Sequence, residues 1–375
     1  MKLVEFVPPT PHPLWELCPQ MGITDVIVKV NPDLTGLPDP WRYETLAYLV
    51  ARLKSAGLTV VGLEGDPFDM SPIKEFGERG KGNGEREEAL AHYRELLESM
   101  GRLGIKLLCY NFMVGKGWSR TGVREGRGGA KATYFSLFTN DKCHNCSQIT
   151  NTNHLANSEN STRSTRLNNP ANPVKDDLIL SHAQVWANYA YFIRAVMPTA
   201  EKWGIRMGLH PDDPCLDSLG GYARIFGSIE AYDRAYAIYP SPSNAVTFCQ
   251  ANFKLMLGNE ALADAARHFG KRIAFIHVRD VEGTKEDFTE LFHDQGTIDQ
   301  FALMRTYREI GLDVPVRGDH VPEMAYDRIL TPDGTPGYFT LGRLFANGYL
   351  KALLEGTDPA SRFCACVSVP FMRNY

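Results

Sequence analysis

No apolar run in the 375 residues approaches the roughly 20 that a membrane-spanning helix needs, so a membrane partner is not expected. Excess positive charge is also missing: 40 Lys and Arg against 44 Asp and Glu leave a formal net charge of −4. Binding to a phosphate backbone needs a clustered basic face, so nucleic acid is excluded as an expected partner and a small molecule is favoured. The first residues lack a basic segment followed by an apolar stretch, which argues against secretion and for a cytoplasmic address. Matched cysteine pairs are missing as well. Of the eight cysteines, Cys143 and Cys146 form one close pair and Cys364 and Cys366 another, yet neither has a second pair at zinc-binding spacing. They are read as free thiols in a reducing compartment. The glycosylation patterns at Asn145 and Asn160 carry no weight in a protein that is not secreted.

What the chain does have is an alternation. Hydrophobic residues make up 43% of it, and eight short apolar runs occupy 2–6, 25–30, 58–64, 105–111, 205–210, 245–250, 273–279 and 314–319. Runs without polar alternation are what strands covered on both faces by helices look like. Segments with helical periodicity lie between them, and most end in Gly, which tolerates the left-handed conformation that stops a helix. Eight β–α units predict a closed (β/α)8 TIM barrel, one domain over 1–375. The stretch 113–176, rich in Gly, Asn, Ser and Thr, breaks the rhythm after the fourth strand. It is predicted to be an inserted lid over the C-terminal face of the barrel.

Barrel enzymes work at the C-terminal ends of their strands, and the last four runs each end in a metal-ligand type: His210, Cys249, His277 and Asp319. Each alone reads as an ordinary buried side chain. Together, one β–α unit apart, they converge on a point above the barrel. Two imidazoles, a thiolate and a carboxylate suit Mn²⁺, Fe²⁺ or Zn²⁺ better than the oxygen-preferring Ca²⁺ and Mg²⁺, and the donor set does not choose among the three; Mn²⁺ or Fe²⁺ is the expected cofactor. Cationic side chains gather nearby in an otherwise acidic chain: Arg279 and Arg317 at strand ends, and Lys116, Arg120 and Arg224 in loops. They predict an anionic ligand, because a guanidinium matches a carboxylate or phosphate.

With these residues in view, the chain resembles the mannonate dehydratases, metal-dependent lyases on a xylose-isomerase-like barrel. The stretches that carry the resemblance span most of the sequence. They are Cys109-Tyr110-Asn111-Phe112-Met113, Trp118-Ser119-Arg120-Thr121, His210-Pro211-Asp212-Asp213-Pro214 and Ile276-His277-Val278-Arg279. Further on are Phe292-His293-Asp294-Gln295-Gly296 with Asp299, Arg317-Gly318-Asp319-His320, Pro336-Gly337-Tyr338 and Gly342-Arg343-Leu344. The resemblance implies that His210, Cys249, His277 and Asp319 ligate the metal. It also implies dehydration of a sugar acid, D-mannonate, to 2-keto-3-deoxy-D-gluconate.

Removing a proton next to a carboxylate requires positive charge, a base and an acid. Arg279 is expected to support the metal as a second positive group. His320 and Tyr338 are the candidates for base and acid, in either order, with a cation depressing their proton affinity. The plainer roles are a packing Tyr338 and a His320 that only supports Asp319. Asn111, Arg120, Arg224, His293 and Arg317 are expected at the substrate. Two other functions remain open: a metal-dependent sugar isomerase or epimerase on the same barrel, against which Cys249 argues, and a non-catalytic sugar-acid binding protein. A homodimer is the expected assembly.

Overall fold

A strand sandwiched between a packed interior and a shell of helices must place apolar side chains on both faces, and the eight apolar runs all become such strands. The computed structural model describes residues 1–29, 37, 39–76, 83–115, 117–138 and 180–361. The strands are β1 (Lys2–Leu3, resumed as Glu5–Val7), β2 (Asp25–Val28), β3 (Thr59–Glu64), β4 (Leu107–Tyr110), β5 (Arg206–Leu209), β6 (Asn244–Cys249), β7 (Ile273–Val278) and β8 (Pro315–Gly318). All neighbours are parallel. The first strand closes the ring. Its Lys2 and Leu3 pair with Pro315 and Val316 of β8, while Glu5, Phe6 and Val7 pair with Val26, Ile27 and Val28 of β2.

Side chains alternate along each strand, so one set points into the barrel and the other at the helices. Val246, Phe248, Ile276, Val278, Leu108, Tyr110 and Val316 belong to the large core shared with the helices. Val4, Ile27, Leu107, Cys109, Ala245 and Phe275 form a separate small cluster inside the barrel. Continuing each inward set by twos leads from Ala245 through Thr247 to Cys249, and from Phe275 to His277 and then Arg279. The barrel is apolar below and polar at its mouth.

The helical segments fold as expected, among them Tyr43–Ser55, Asn83–Arg102, His182–Trp203, Ile229–Ile238, Leu262–Phe269 and Gln300–Glu309. His182–Trp203 shows why. Ser181 and Gln184 form a capping box at its start, and Gly204 ends it in the left-handed conformation at φ 62°. Among the described residues no helix is long and apolar enough to cross a membrane.

The expected lid is corrected in its first part. Gly122–Glu125 and Lys131–Ser136 are strands that join Val281–Thr284 and Asp287–Glu290 in a four-stranded antiparallel sheet. Backbone bonds between Lys131 and Glu323 tie this sheet to the loop after β8. The remainder of the inserted stretch, with Cys143, Cys146, Asn145 and Asn160, lies outside the described residues, as do Lys116, Cys364 and Cys366. The four described cysteines, Cys18, Cys109, Cys215 and Cys249, are buried free thiols.

The narrow interior requires a glycine in β5. A Cβ on Gly208 would sit 2.6 Å from Thr247 Oγ1, a hydroxyl already donating to Gly208 O at 3.0 Å. Gly208→Ala is therefore expected to lose about 1–3 kcal/mol of stability, measured as a lower urea midpoint with an unchanged slope.

Candidate metal centre and acid–base pair

Strand register sets the four candidate ligands side by side. Cys249 is the register partner of His277, His277 that of Arg317, and Val246 that of Leu209, so His210, Cys249, His277 and Asp319 stand at the C-terminal ends of the neighbouring strands β5, β6, β7 and β8. One ligand atom from each lies within 4.8 Å of those of the others. His210 is half-buried and the other three are buried. Cys249 Sγ donates to Asn252 Oδ1 at 3.0 Å and accepts from Arg279 Nη1 at 3.6 Å. Both ring nitrogens of His277, 1% exposed, lack a hydrogen-bond partner. A buried imidazole without partners is costly unless something else takes a lone pair. This fits a soft-to-borderline divalent cation among N, S and O donors.

The Asp319 carboxyl is raised by burial but lowered more by His320, Arg317 and His277, and it ends well below the usual carboxylate range. It is ionised, as a ligand must be.

Beside the cluster is a small cavity of about 100 Å³ lined by Glu64, Asn111, Trp118, His210, Asp213, Asp319, His320 and Tyr338, among others. Of the residues named from sequence, Asn111, His320 and Tyr338 therefore reach it together with two of the candidate ligands, His210 and Asp319. Asn111 is fixed by accepting from Met113 N and from the buried Lys74 ammonium, both at 3.1 Å. His320 Nε2 and Tyr338 Oη are 2.9 Å apart. They meet because Val321 N donates to Gly337 O at 2.8 Å, which folds the loop carrying Tyr338 onto the corner after β8. His320 turns that corner in the left-handed region, at φ 44°.

The expected cationic residues sit elsewhere. Arg120, Arg224, Arg279, Arg317 and His293 are not among the cavity's lining residues, and each donates to a protein group. Arg279 gives its Nη1 to Asp213 at 2.8 Å and to Asn252 at 2.8 Å, and clamps Glu290 through Nε at 2.7 Å and Nη2 at 2.6 Å. Arg120 grips the same Asp213 and Glu290 from the other side. Arg317 holds Glu64 and reaches Asp319 Oδ1 at 3.0 Å. Arg224 donates to Gly117 O at 3.2 Å and lies 3.9 Å from Asp212. His293 Nε2 donates to Val278 O at 2.9 Å, and burial lowers its pKa to about 4, leaving it an uncharged structural side chain. For Arg120 and Arg317 the physical reason is that a buried charge is stable only when matched, and the carboxylates that match them, Asp213 and Glu290 for the first and Glu64 for the second, lie 93, 170 and 253 residues away in sequence.

The protein's own groups also reverse the expectation for Tyr338. Burial first, then the Asp319 carboxylate, push its phenol well above the usual tyrosine value. The imidazole beside it has its Nδ1 at 3.1 Å from Glu290 Oε1 and 3.3 Å from Arg120 Nη2. Glu290 is raised by burial yet held at about 2 by Arg279 and Arg120. Its ionised oxygen therefore favours a proton on Nδ1 and an Nε2 lone pair facing the phenol.

Sequence reasoning missed Glu64, Asp213 and Glu290. Glu64 ends β3, so the strand-tip rule applied there would have found it. Asp213 stands in the His210–Pro214 stretch. Glu290 lies on the unforeseen hairpin and carried no signal.

The profile of the family described as D-mannonate dehydratase (UxuA) matches residues 16–363. Mannonate dehydratase of Brachyspira hyodysenteriae is 28% identical over 349 residues, covering 90% of this chain and 92% of that protein. Mannonate dehydratase 2 of Halalkalibacterium halodurans is 27% identical over 324 residues, covering 85% and 88%. The crystal structure of mannonate dehydratase from Streptococcus suis serotype 2 superposes with a TM-score of 0.75 at 25% identity, covering 95% of each chain. With most of its length matched, its barrel shared and its strand tips so arranged, the chain belongs to the D-mannonate dehydratase family.

Proposed function

We propose that this protein is a metal-dependent hydro-lyase that converts D-mannonate to 2-keto-3-deoxy-D-gluconate and water, a step of hexuronate breakdown. The observation that carries the reading is the convergence of His210, Cys249, His277 and Asp319 within 4.8 Å, beside a cavity that also presents His320 and Tyr338. Those four would hold the ion, Mn²⁺ or Fe²⁺, with His210 contributing Nε2 because Pro211 O occupies Nδ1 at 2.8 Å. When bound, the cation lowers the cost of negative charge developing at the carboxylate end of the substrate.

The chain's own groups supply the proton movements. His320, with an Nε2 lone pair directed at the cavity side of the ring, is assigned as the base that takes the proton next to the carboxylate. Tyr338, a phenol kept protonated by burial and neighbouring carboxylates, is assigned as the acid for the departing hydroxyl. Asn111 and Trp118 line the space and orient the substrate. Arg279 acts at one remove: it sets the charge around Cys249 and fixes Glu290 behind His320. A reducing cytoplasm suits a site that depends on a free thiol at Cys249.

Incubation with a panel of C5 and C6 aldonates, with and without Mn²⁺ or Fe²⁺, should release a 2-keto-3-deoxy acid from D-mannonate only when metal is present. Isomerisation of a sugar without loss of water, or binding without turnover, would sink the assignment. Chelation should abolish turnover, with recovery on adding back either ion. Tyr338→Phe should lower kcat by about 10²–10⁴-fold while metal content stays that of the parent. Activity preserved in that variant would reduce Tyr338 to a packing residue.

A further inference from the structure

Each candidate ligand with two possible donor atoms has one of them facing another protein group. His210 Nδ1 is 2.8 Å from Pro211 O; a carbonyl only accepts, so that nitrogen carries the hydrogen and Nε2 is free. Asp319 Oδ1 lies 3.0 Å from Arg317 Nη1, which leaves Oδ2. Oδ2 in turn lies 3.6 Å from His277 Nδ1, and the opposite ring nitrogen, Nε2, lies 3.6 Å from Glu64 Oε2. The pattern is completed only if Glu64 does for His277 what Pro211 does for His210.

Glu64 cannot turn away. Arg317 Nη2 donates to its Oε1 at 2.6 Å and Nε to its Oε2 at 3.2 Å, while the guanidinium sits 5.3 Å over the Phe6 ring. We propose that Glu64 is a positioning residue for the metal centre: it takes the Nε2–H side of His277 and so presents Nδ1 to the point that His210 Nε2, Cys249 Sγ and Asp319 Oδ2 share. One guanidinium, that of Arg317, then anchors both this carboxylate and the ligand Asp319. The inference rests on the metal reading given above and adds a residue to it.

A competing use of the same atoms is a second cation among Glu64, Cys109 and His277, whose donor atoms also fall within 4.8 Å of one another. The neighbourhood argues against it. Arg317 already supplies the positive charge that Glu64 needs, and Cys109 Sγ lies 3.3 Å from Thr247 Oγ1, whose hydrogen goes to Gly208 O. Burial, and then Glu64 itself, push the Cys109 thiol well above its ordinary value, so it stays protonated. Glu64 is left as a hydrogen-bond acceptor. Carboxylates that orient a metal-bound histidine in this way typically strengthen metal binding by about 10–100-fold.

The test is a Co²⁺ titration of chelator-stripped protein without substrate, followed by the thiolate-to-cobalt absorption band. The parent should take up one ion per chain and develop the band, and Cys249→Ser should lose it. Glu64→Ala should keep the band but weaken Co²⁺ binding by about 10–100-fold. Glu64→Gln, whose amide oxygen still accepts a hydrogen bond, should fall between. If Glu64 mattered only for folding, both variants would melt earlier in the metal-free state while their folded fraction bound Co²⁺ like the parent. Parent-like affinity in Glu64→Ala, or in Glu64→Gln should the alanine variant not fold, would overturn the proposal, as would two ions per chain. A parent that takes up no Co²⁺ would instead overturn the metal reading.

Discussion

Charge matching at the barrel mouth is the constraint on which the rest depends. Arg120 and Arg279 share Asp213 and Glu290, and Arg317 is divided between Glu64 and Asp319, all with side chains almost wholly removed from water except Glu64, which is 17% exposed. An unpaired ion in such surroundings costs several kcal/mol, so each pairing fixes the loops that carry its members. Glu290 brings the hairpin at 281–290 against β7, and Asp213 brings the loop after β5 against the inserted strands. Once these ions have satisfied one another, neither ring nitrogen of His277 has a partner within hydrogen-bond distance among the described residues, and the Glu64 and Asp319 carboxylates face them at 3.6 Å. The candidate centre is where the network leaves donor atoms over.

That network explains what could and could not be read from sequence. The strands were legible because burial on both faces is written locally, as an apolar run, and all eight are found within two residues of their expected ends. The four candidate ligands were legible because strand alternation and parallel register turn a position at a strand tip into a position in space. Partners were not. Arg317 and Glu64 are 253 residues apart, and Arg120 and Glu290 are 170 apart. The arginines named as contacts for an anionic ligand carried no sign that Arg120, Arg279 and Arg317 pair with the protein's own carboxylates Asp213, Glu290 and Glu64.

Composition misled in a second place for a related reason. The inserted stretch after β4 was read as one polar lid, yet its first part contains Lys131–Ser136, with five of six residues buried. Those residues are covered by Asp287–Glu290, a strand too short and too mixed in polarity to be recognised alone. Pairing, not propensity, makes both of them strands. Because the same hairpin delivers Glu290 to His320, missing it meant missing the group that orients the candidate base.

The arrangement of His320 and Tyr338 bears on which barrel chemistry the site suits. Epimerisation through a shared intermediate needs two groups that can each accept and return a proton on opposite faces of one carbon. Loss of water needs unlike groups, one ready to accept and one ready to donate. Here an imidazole nitrogen whose lone pair is set by Glu290 behind it lies 2.9 Å from a phenol that burial and Asp319 keep protonated. The pair is asymmetric by construction. Its geometry depends on a histidine held at φ 44°, a conformation that non-glycine residues seldom adopt, and is kept by the backbone bridge between Val321 and Gly337. Strain retained at that corner keeps the imidazole acceptor beside the phenol donor, the unlike pair that the proposed dehydration would use and that a symmetric two-base site would not need.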